Sequence, residues 1–169
     1  MSYNPIQNTI EKFINPYNAK NQIIGIDDIN LVEKYANIAL KLNNSNTIVF
    51  ASEDGLPFVS LCSETKVAEA WKNKIFSYDL NASLLNLKNH NQEELLCENN
   101  EENLELILNV FENKTKNAIY DVITVNSGLA LYISKKANSI LNGIDLAKKT
   151  IENNLAQEKF NQIKKLYSW

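Results

Sequence analysis

The chain contains no arginine; its 17 basic residues are all lysine. It therefore has no guanidinium fork for a carboxylate or phosphate, which lysine meets only as a point charge. Glycine is nearly as scarce, four in 169 residues, and none stands in a GxGxxG or P-loop spacing. That excludes the phosphate cradles recognisable by their glycine pattern. Two cysteines, Cys62 and Cys97, lie too far apart for a disulfide framework or a zinc site. Apolar runs such as Leu129–Ile133 fall far short of the ~20 residues a bilayer-spanning helix needs. Met1 to Lys12 is polar and interrupted by Pro5, so no signal peptide is expected. A net charge of −3 gives no pull on a polyanion, so neither a nucleic-acid nor a membrane partner is expected.

What is present is ordinary for a globular protein: 44% hydrophobic and 22% charged residues. One cytoplasmic α/β domain spanning 1–169 is the expectation, large enough to bury a core without disulfides or metals. Asparagine makes up roughly one residue in six, far above average usage. With the abundant Ile and Lys, this suggests an AT-rich genome.

Asn4-Pro5 starts a helix with Ile6, Ile10, Phe13 and Ile14 on one face, and Asn15-Pro16 ends it. Gln22–Ile26 reads as a buried strand. Asp27 or Asp28 caps a helix carrying Ile29, Val32, Tyr35, Ala36, Ala39 and Leu42, and Thr47–Ala51 is the next strand. Strand, helix and strand make a right-handed βαβ unit with parallel strands. Phe58–Leu61, Lys66–Ala70 and Lys74–Asp79 suit an antiparallel meander, so the sheet is expected to be mixed. Asn81–Asn103 reads mostly as loop. Leu104, Ile107, Leu108 and Phe111 form one helical face, and Ala118–Lys136 is a buried helix. Ser139 caps a helix over Ile140–Asn153, with Asn154 closing it in the left-handed conformation. Leu155 to Tyr167 is a last helix with Phe160, Ile163 and Leu166 inward.

Few residues carry chemistry. His90 sits in the polar Leu87–Gln92 loop without an acidic or cysteine partner at catalytic spacing and reads as solvated. Cys62, placed in a strand, and Cys97, beside a loop, have no adjacent base. Helix capping accounts for Asp27-Asp28, and Glu98, Glu101 and Glu102 form a solvated acidic stretch. Asp121 and Asn126 share a buried helix but point to different sides. Asp121 is expected to meet backbone amides or a lysine, whereas Asn126 must find partners or cost about 1–3 kcal/mol. The turn Ala51-Ser52-Glu53-Asp54-Gly55 follows the second parallel strand at its carboxyl end, where open α/β sheets bind ligands. Asp-Gly turn formation explains its residues equally well.

Several blocks together resemble the anthranilate phosphoribosyltransferases. They are Asn15-Pro16 with Ala19-Lys20 and Gln22-Ile23-Ile24-Gly25-Ile26; Glu53-Asp54-Gly55-Leu56 with Ser60 and Thr65-Lys66-Val67-Ala68-Glu69; and Asp121-Val122 through Asn126, Ala130-Leu131-Tyr132, Gly143, Leu146 and Ala147. They run in order over nearly all of 1–169 and correspond to the family's C-terminal α/β part. The resemblance implies a mixed, partly parallel sheet flanked by helices. It also implies descent from an enzyme of tryptophan biosynthesis that joins anthranilate to C1 of phosphoribosyl diphosphate. The family's N-terminal helical domain, glycine-rich loop and anthranilate-binding arginine have no counterpart here. Where the family carries Gly-Leu-Asp-Glu, whose acids bind magnesium, this chain reads Gly55-Leu56-Pro57-Phe58; its Gly-Pro-Leu is Glu11-Lys12-Phe13. No catalytic, substrate-binding or metal residue of the family transfers, so no cofactor is expected and the chain is expected to be inactive alone. The alternatives are half of a split phosphoribosyltransferase and a repurposed binding or regulatory module. Partners would be a second copy, giving a homo-oligomer, or a complementing N-terminal half.

Overall fold

The computed structural model describes residues 10–42 and 46–167. They fall into two compact units, one from the segments up to residue 58 and 65–80, the other from 59–64 and 81 onward.

In the first unit, β1 (Asn21–Gly25) and β2 (Asn46–Ser52) pair in parallel, with Ile23 opposite Ile48 and Ile24 opposite Val49. Parallel pairing requires a crossover, supplied by α1 (Val32–Lys41). β3 (Thr65–Trp71) and β4 (Lys74–Leu80) then add antiparallel, in the order β1-β2-β3-β4. The sheet is mixed, as the residue pattern predicts. One expected strand is missing, however: 58–61 has no ladder partner, and Cys62 lies in a bend. The meander is instead made by the β3–β4 hairpin, closed by Lys72 and Asn73, both left-handed at φ 48 and 61°. Two positive φ angles match the type I′ turn that suits the strands' twist.

Sheet and helix meet through Ile24, Ile26, Val49, Ala51, Ala68 and Ala70 on one side and Val32, Tyr35 and Ala36 on the other, with Phe13 packed against them. The alanines bring α1 close to the strands. The Phe13 ring lies 5.5 Å from that of Tyr35. Ile10 and Ile14, expected beside Phe13 on a buried face, are 56% and 60% exposed; the start of that helix and Ile6 lie outside the described residues. Leu42, just past the end of α1, is exposed as well.

The second unit is helical: α2 (Asn100–Phe111), α3 (Ala118–Ile133), α4 (Ile140–Glu152) and α5 (Leu155–Tyr167). Short 3-10 turns at Ser83–Leu85 and Gln92–Leu95 interrupt the expected loop. Asn99, Asn117 and Ser139 cap α2, α3 and α4 by accepting the N–H groups of Glu102, Tyr120 and Asn142. The inward side of α2 differs from the expected one: Val110 is buried and Leu104 is exposed. Val110 joins Tyr120 and Ile151 in a small core. On α5, Ile163 and Leu166 point to solvent, while Phe160 packs on Phe111 at 5.9 Å. The helix pattern was right and its angular phase was not, because terminal helices here bury only a narrow stripe.

α3 and α4 cross where Gly128 meets Gly143. A Cβ on Gly143 would lie 2.2 Å from the Gly128 carbonyl oxygen, so backbones touch there. With glycine spent on such contacts, asparagine serves at left-handed positions. Asn18, Asn73, Asn86, Asn113 and Asn154 all have φ between 49 and 61°. Asn154 closes α4 as expected, its N–H donating to the Ile151 carbonyl at 2.9 Å.

Candidate functional site

The carboxyl ends of the parallel strands are followed by the turn 53–58. Gly55 has φ +78°, a conformation glycine adopts freely, and its N–H donates to the Ser52 carbonyl at 2.9 Å. Asp54 Oδ1 accepts the Leu56 N–H at 3.2 Å, so this carboxylate shapes the turn. Ser52 Oγ donates to the Phe58 carbonyl at 2.7 Å and lies 2.6 Å from Thr65 Oγ1. The Pro57 carbonyl rests on Gly25 at the end of β1, where an added Cβ would come within 2.2 Å of it. The other side of that strand end is held by Lys12, whose Nζ donates to the Gly25 carbonyl at 3.0 Å. The turn is thus tied at both ends and closed over the strand termini. Side-chain oxygen within it comes from Glu53, exposed, and Asp54; Pro57 and Phe58 supply none.

His90 departs from its expected role. It is 4% exposed, and its ring bridges two carboxylates: Nε2 lies 2.9 Å from Asp121 Oδ2 and Nδ1 3.2 Å from Glu94 Oε2. The His90 N–H also donates to the Leu61 carbonyl at 3.0 Å. Asp121 therefore meets an imidazole, neither a lysine nor backbone amides. Glu94 sits in a capping box, its Oε1 accepting the Asn91 N–H at 3.0 Å. That amide first and His90 second hold the Glu94 carboxyl below the usual range. The His90–Glu94 spacing of four was a readable signal; the 31 residues to Asp121 left none.

Asn126, partly buried on the same helix, finds its polar partners. Its Oδ1 accepts the Val59 N–H at 2.9 Å, and its Nδ2 donates to the Val59 and Val122 carbonyls at 3.1 and 2.9 Å. It treats residue 59 as a neighbouring strand would, which explains why 58–61 needs no ladder. Asp121 and Asn126 remain two sites, as their spacing predicts.

The other candidates stay apart. Asp28 Oδ1 accepts the Asn30 N–H at 2.9 Å as a cap, and Asp27 is exposed. Cys62 is half-buried with its N–H on Ser60 Oγ, and Cys97 is exposed. Glu101 and Glu102 occupy the first turn of α2. Among the described residues, no three His, Cys, Asp or Glu side chains are grouped to hold a metal. None of their helices is long and apolar enough to cross a membrane.

Residues 3–157 match the family model described as "Glycosyl transferase family, a/b domain". The chain belongs to this family. Similar family members are the anthranilate phosphoribosyltransferases of Acetivibrio thermocellus, 33% identical over 93% of this chain and 45% of the relative, and of Vesicomyosocius okutanii, 33% identical over 92% and 46%. The chain thus spans less than half the length of the curated relatives it matches, and the match lies in their C-terminal part. Among solved structures, the family's fold recurs in anthranilate phosphoribosyltransferase from Saccharomyces cerevisiae in complex with 4-fluoroanthranilate. The TM-score is 0.74 at 25% identity, covering 82% of this chain and 40% of that one. The same enzyme in complex with PRPP and Mg gives a TM-score of 0.74 at 24% identity, again over 82% and 40% of the two chains.

Proposed function

We propose that this chain is the C-terminal α/β part of an anthranilate phosphoribosyltransferase-like protein of tryptophan biosynthesis, located in the cytoplasm, and that alone it does not catalyse phosphoribosyl transfer. The observation that carries this reading is the turn after β2. By the resemblance, Pro57 and Phe58 stand where the family carries two magnesium-binding carboxylates. Magnesium takes hard oxygen ligands and neutralises a departing diphosphate. Pro57 and Phe58 offer no side-chain oxygen, and the nearby Asp54 already commits Oδ1 to its own turn. Pro57 and Phe58 do not fit the ion.

The 169 residues also hold no glycine-rich loop and no arginine, so neither a phosphate cradle nor a fork for anthranilate's carboxylate comes from this chain. The test incubates the purified chain with anthranilate, phosphoribosyl diphosphate and magnesium and follows loss of anthranilate fluorescence. No turnover is expected; turnover above an enzyme-free control overturns the reading.

A second reading, half of a split enzyme, is favoured by the 45% coverage of the relative from Acetivibrio thermocellus. It predicts turnover once an N-terminal half is added, with none from either half alone.

A further inference from the structure

The most unusual chemistry lies away from the turn 53–58. His90 is the one histidine of the chain, its side chain is fully shielded from solvent, and both ring nitrogens face carboxylate oxygens. A neutral imidazole has one N–H and one lone pair, so it can donate to only one of the two. The second nitrogen would then aim a lone pair at an acceptor inside the protein, where mismatched polar groups cost most. With both carboxylates ionised, only the doubly protonated ring satisfies both contacts.

We propose that His90 is a protonation-dependent latch: its imidazolium clamps the 90–95 turn onto α3, and loss of one proton frees the Glu94 side of the clamp.

The two sides are unequal. Asp121 belongs to α3, is shielded more than Glu94, and makes the shorter contact, 2.9 Å against 3.2 Å. Glu94 is 43% exposed, also accepts the Asn91 N–H at 3.0 Å and feels the charge of Lys88. On deprotonation the ring therefore keeps Nε2–H on Asp121, and Glu94 turns to water or Lys88. From the loop 59–64, the Leu61 carbonyl accepts the His90 backbone N–H, a tie that is independent of the ring's state. Glu93, from the same 3-10 turn, is exposed. The unit that loosens is the turn Gln92–Leu95, whose own bonds are local: its capping box with Asn91, the Glu94 N–H to Asn91 carbonyl at 3.0 Å and the Leu96 N–H to Glu93 carbonyl at 3.4 Å. The sign follows: the latch is closed on the acid side of the imidazole's ionisation and opens as pH rises through it.

A single histidine makes the test direct. The full chain carrying 15N-histidine is titrated by NMR over about pH 5 to 9, and amide exchange is read in the same series as a ratio to β2 amides. Two N–H ring nitrogens are expected while the latch is closed. As one converts to a lone-pair nitrogen, exchange at Glu94 and Leu96 should rise about tenfold relative to β2, the loss of one charge-assisted hydrogen bond. Asp121→Asn keeps the shape but removes an anion, and should move the ring transition to lower pH together with the exchange change. His90→Gln should abolish the pH dependence of the exchange ratio. A ring with one N–H throughout, or exchange at Glu94 and Leu96 that ignores the ring's state, overturns the latch. So does an unchanged pH dependence in His90→Gln. Should His90→Gln not fold, the wild-type and Asp121→Asn titrations still decide.

Discussion

The two units hold themselves together by different means. In the sheet unit, the polar backbone of the strands is satisfied along ladders, Val49, Ala51, Ala68 and Ala70 add apolar contact, and a buried hydroxyl, Ser52, ties the one irregular stretch at Phe58. In the helical unit, irregular backbone is held by longer-range polar side chains: the partly buried Asn126 grips residue 59, and the buried His90 ties Asp121 to the turn at 91–95. Apolar packing tolerates changes of similar volume, whereas a buried polar contact punishes loss of either partner. The helical unit should be the less forgiving of the two.

The largest break should come at the helix crossing. Gly143→Val drives side-chain atoms into the Gly128 backbone, and about 3 kcal/mol or more of stability should be lost. Thermal unfolding measures it, and exchange should show the α3–α4 amides affected before those of β2 and β3. Next, Asn126→Leu leaves the buried N–H and carbonyl of Val59 without that partner, costing about 2–3 kcal/mol. Asn126→Asp, which keeps an acceptor and loses the donor, should be as poorly tolerated if the two-sided grip is what matters. In the sheet unit, Ser52→Ala removes the tie from Ser52 to Phe58 and Thr65 and should cost only about 1–2 kcal/mol. Equal losses at Asn126 and Ser52 would break the comparison.

Two smaller effects sharpen it. Glu94 is held below the usual carboxylate range, so its contribution is present above that range and fades as pH falls through its folded value. Glu94→Gln should flatten the acid limb of the stability curve. Lys116 is raised and Glu152 lowered chiefly by each other, yet both are well exposed. Lys116→Met should change stability little, with a difference that vanishes in high salt. In the sheet unit Ile10 and Ile14 are exposed beside the partly buried Phe13. We expect self-association at micromolar concentration, weakened by Ile14→Asp and measured by sedimentation; a clean monomer would overturn it.

Much of this architecture was legible from residue order. The strands near 22–26, 47–51, 66–70 and 74–79, the Ser139 cap and the left-handed Asn154 rest on local preferences that need no distant partner. So did the expectation placed on Pro57-Phe58, since residue type is visible without coordinates. The errors have one cause. Phe58–Leu61 looked like a strand because it is buried and apolar, but its partner is Asn126, 67 residues from Val59. Leu104, Ile163 and Leu166 looked inward because periodicity fixes a helix's repeat and not which side meets a neighbour.

The sequence by itself determined which segments are strands or helices, the parallel first pair, and the lack of any arginine or glycine-rich loop in these 169 residues. Those properties depend on side-chain type and on neighbours within a few residues. Only the tertiary structure decided that a histidine in a polar stretch is buried between Asp121 and Glu94, and that two glycines 15 residues apart let α3 and α4 touch. Such contacts form when chain closure brings distant residues within a few ångströms, and local pattern carries no record of that encounter.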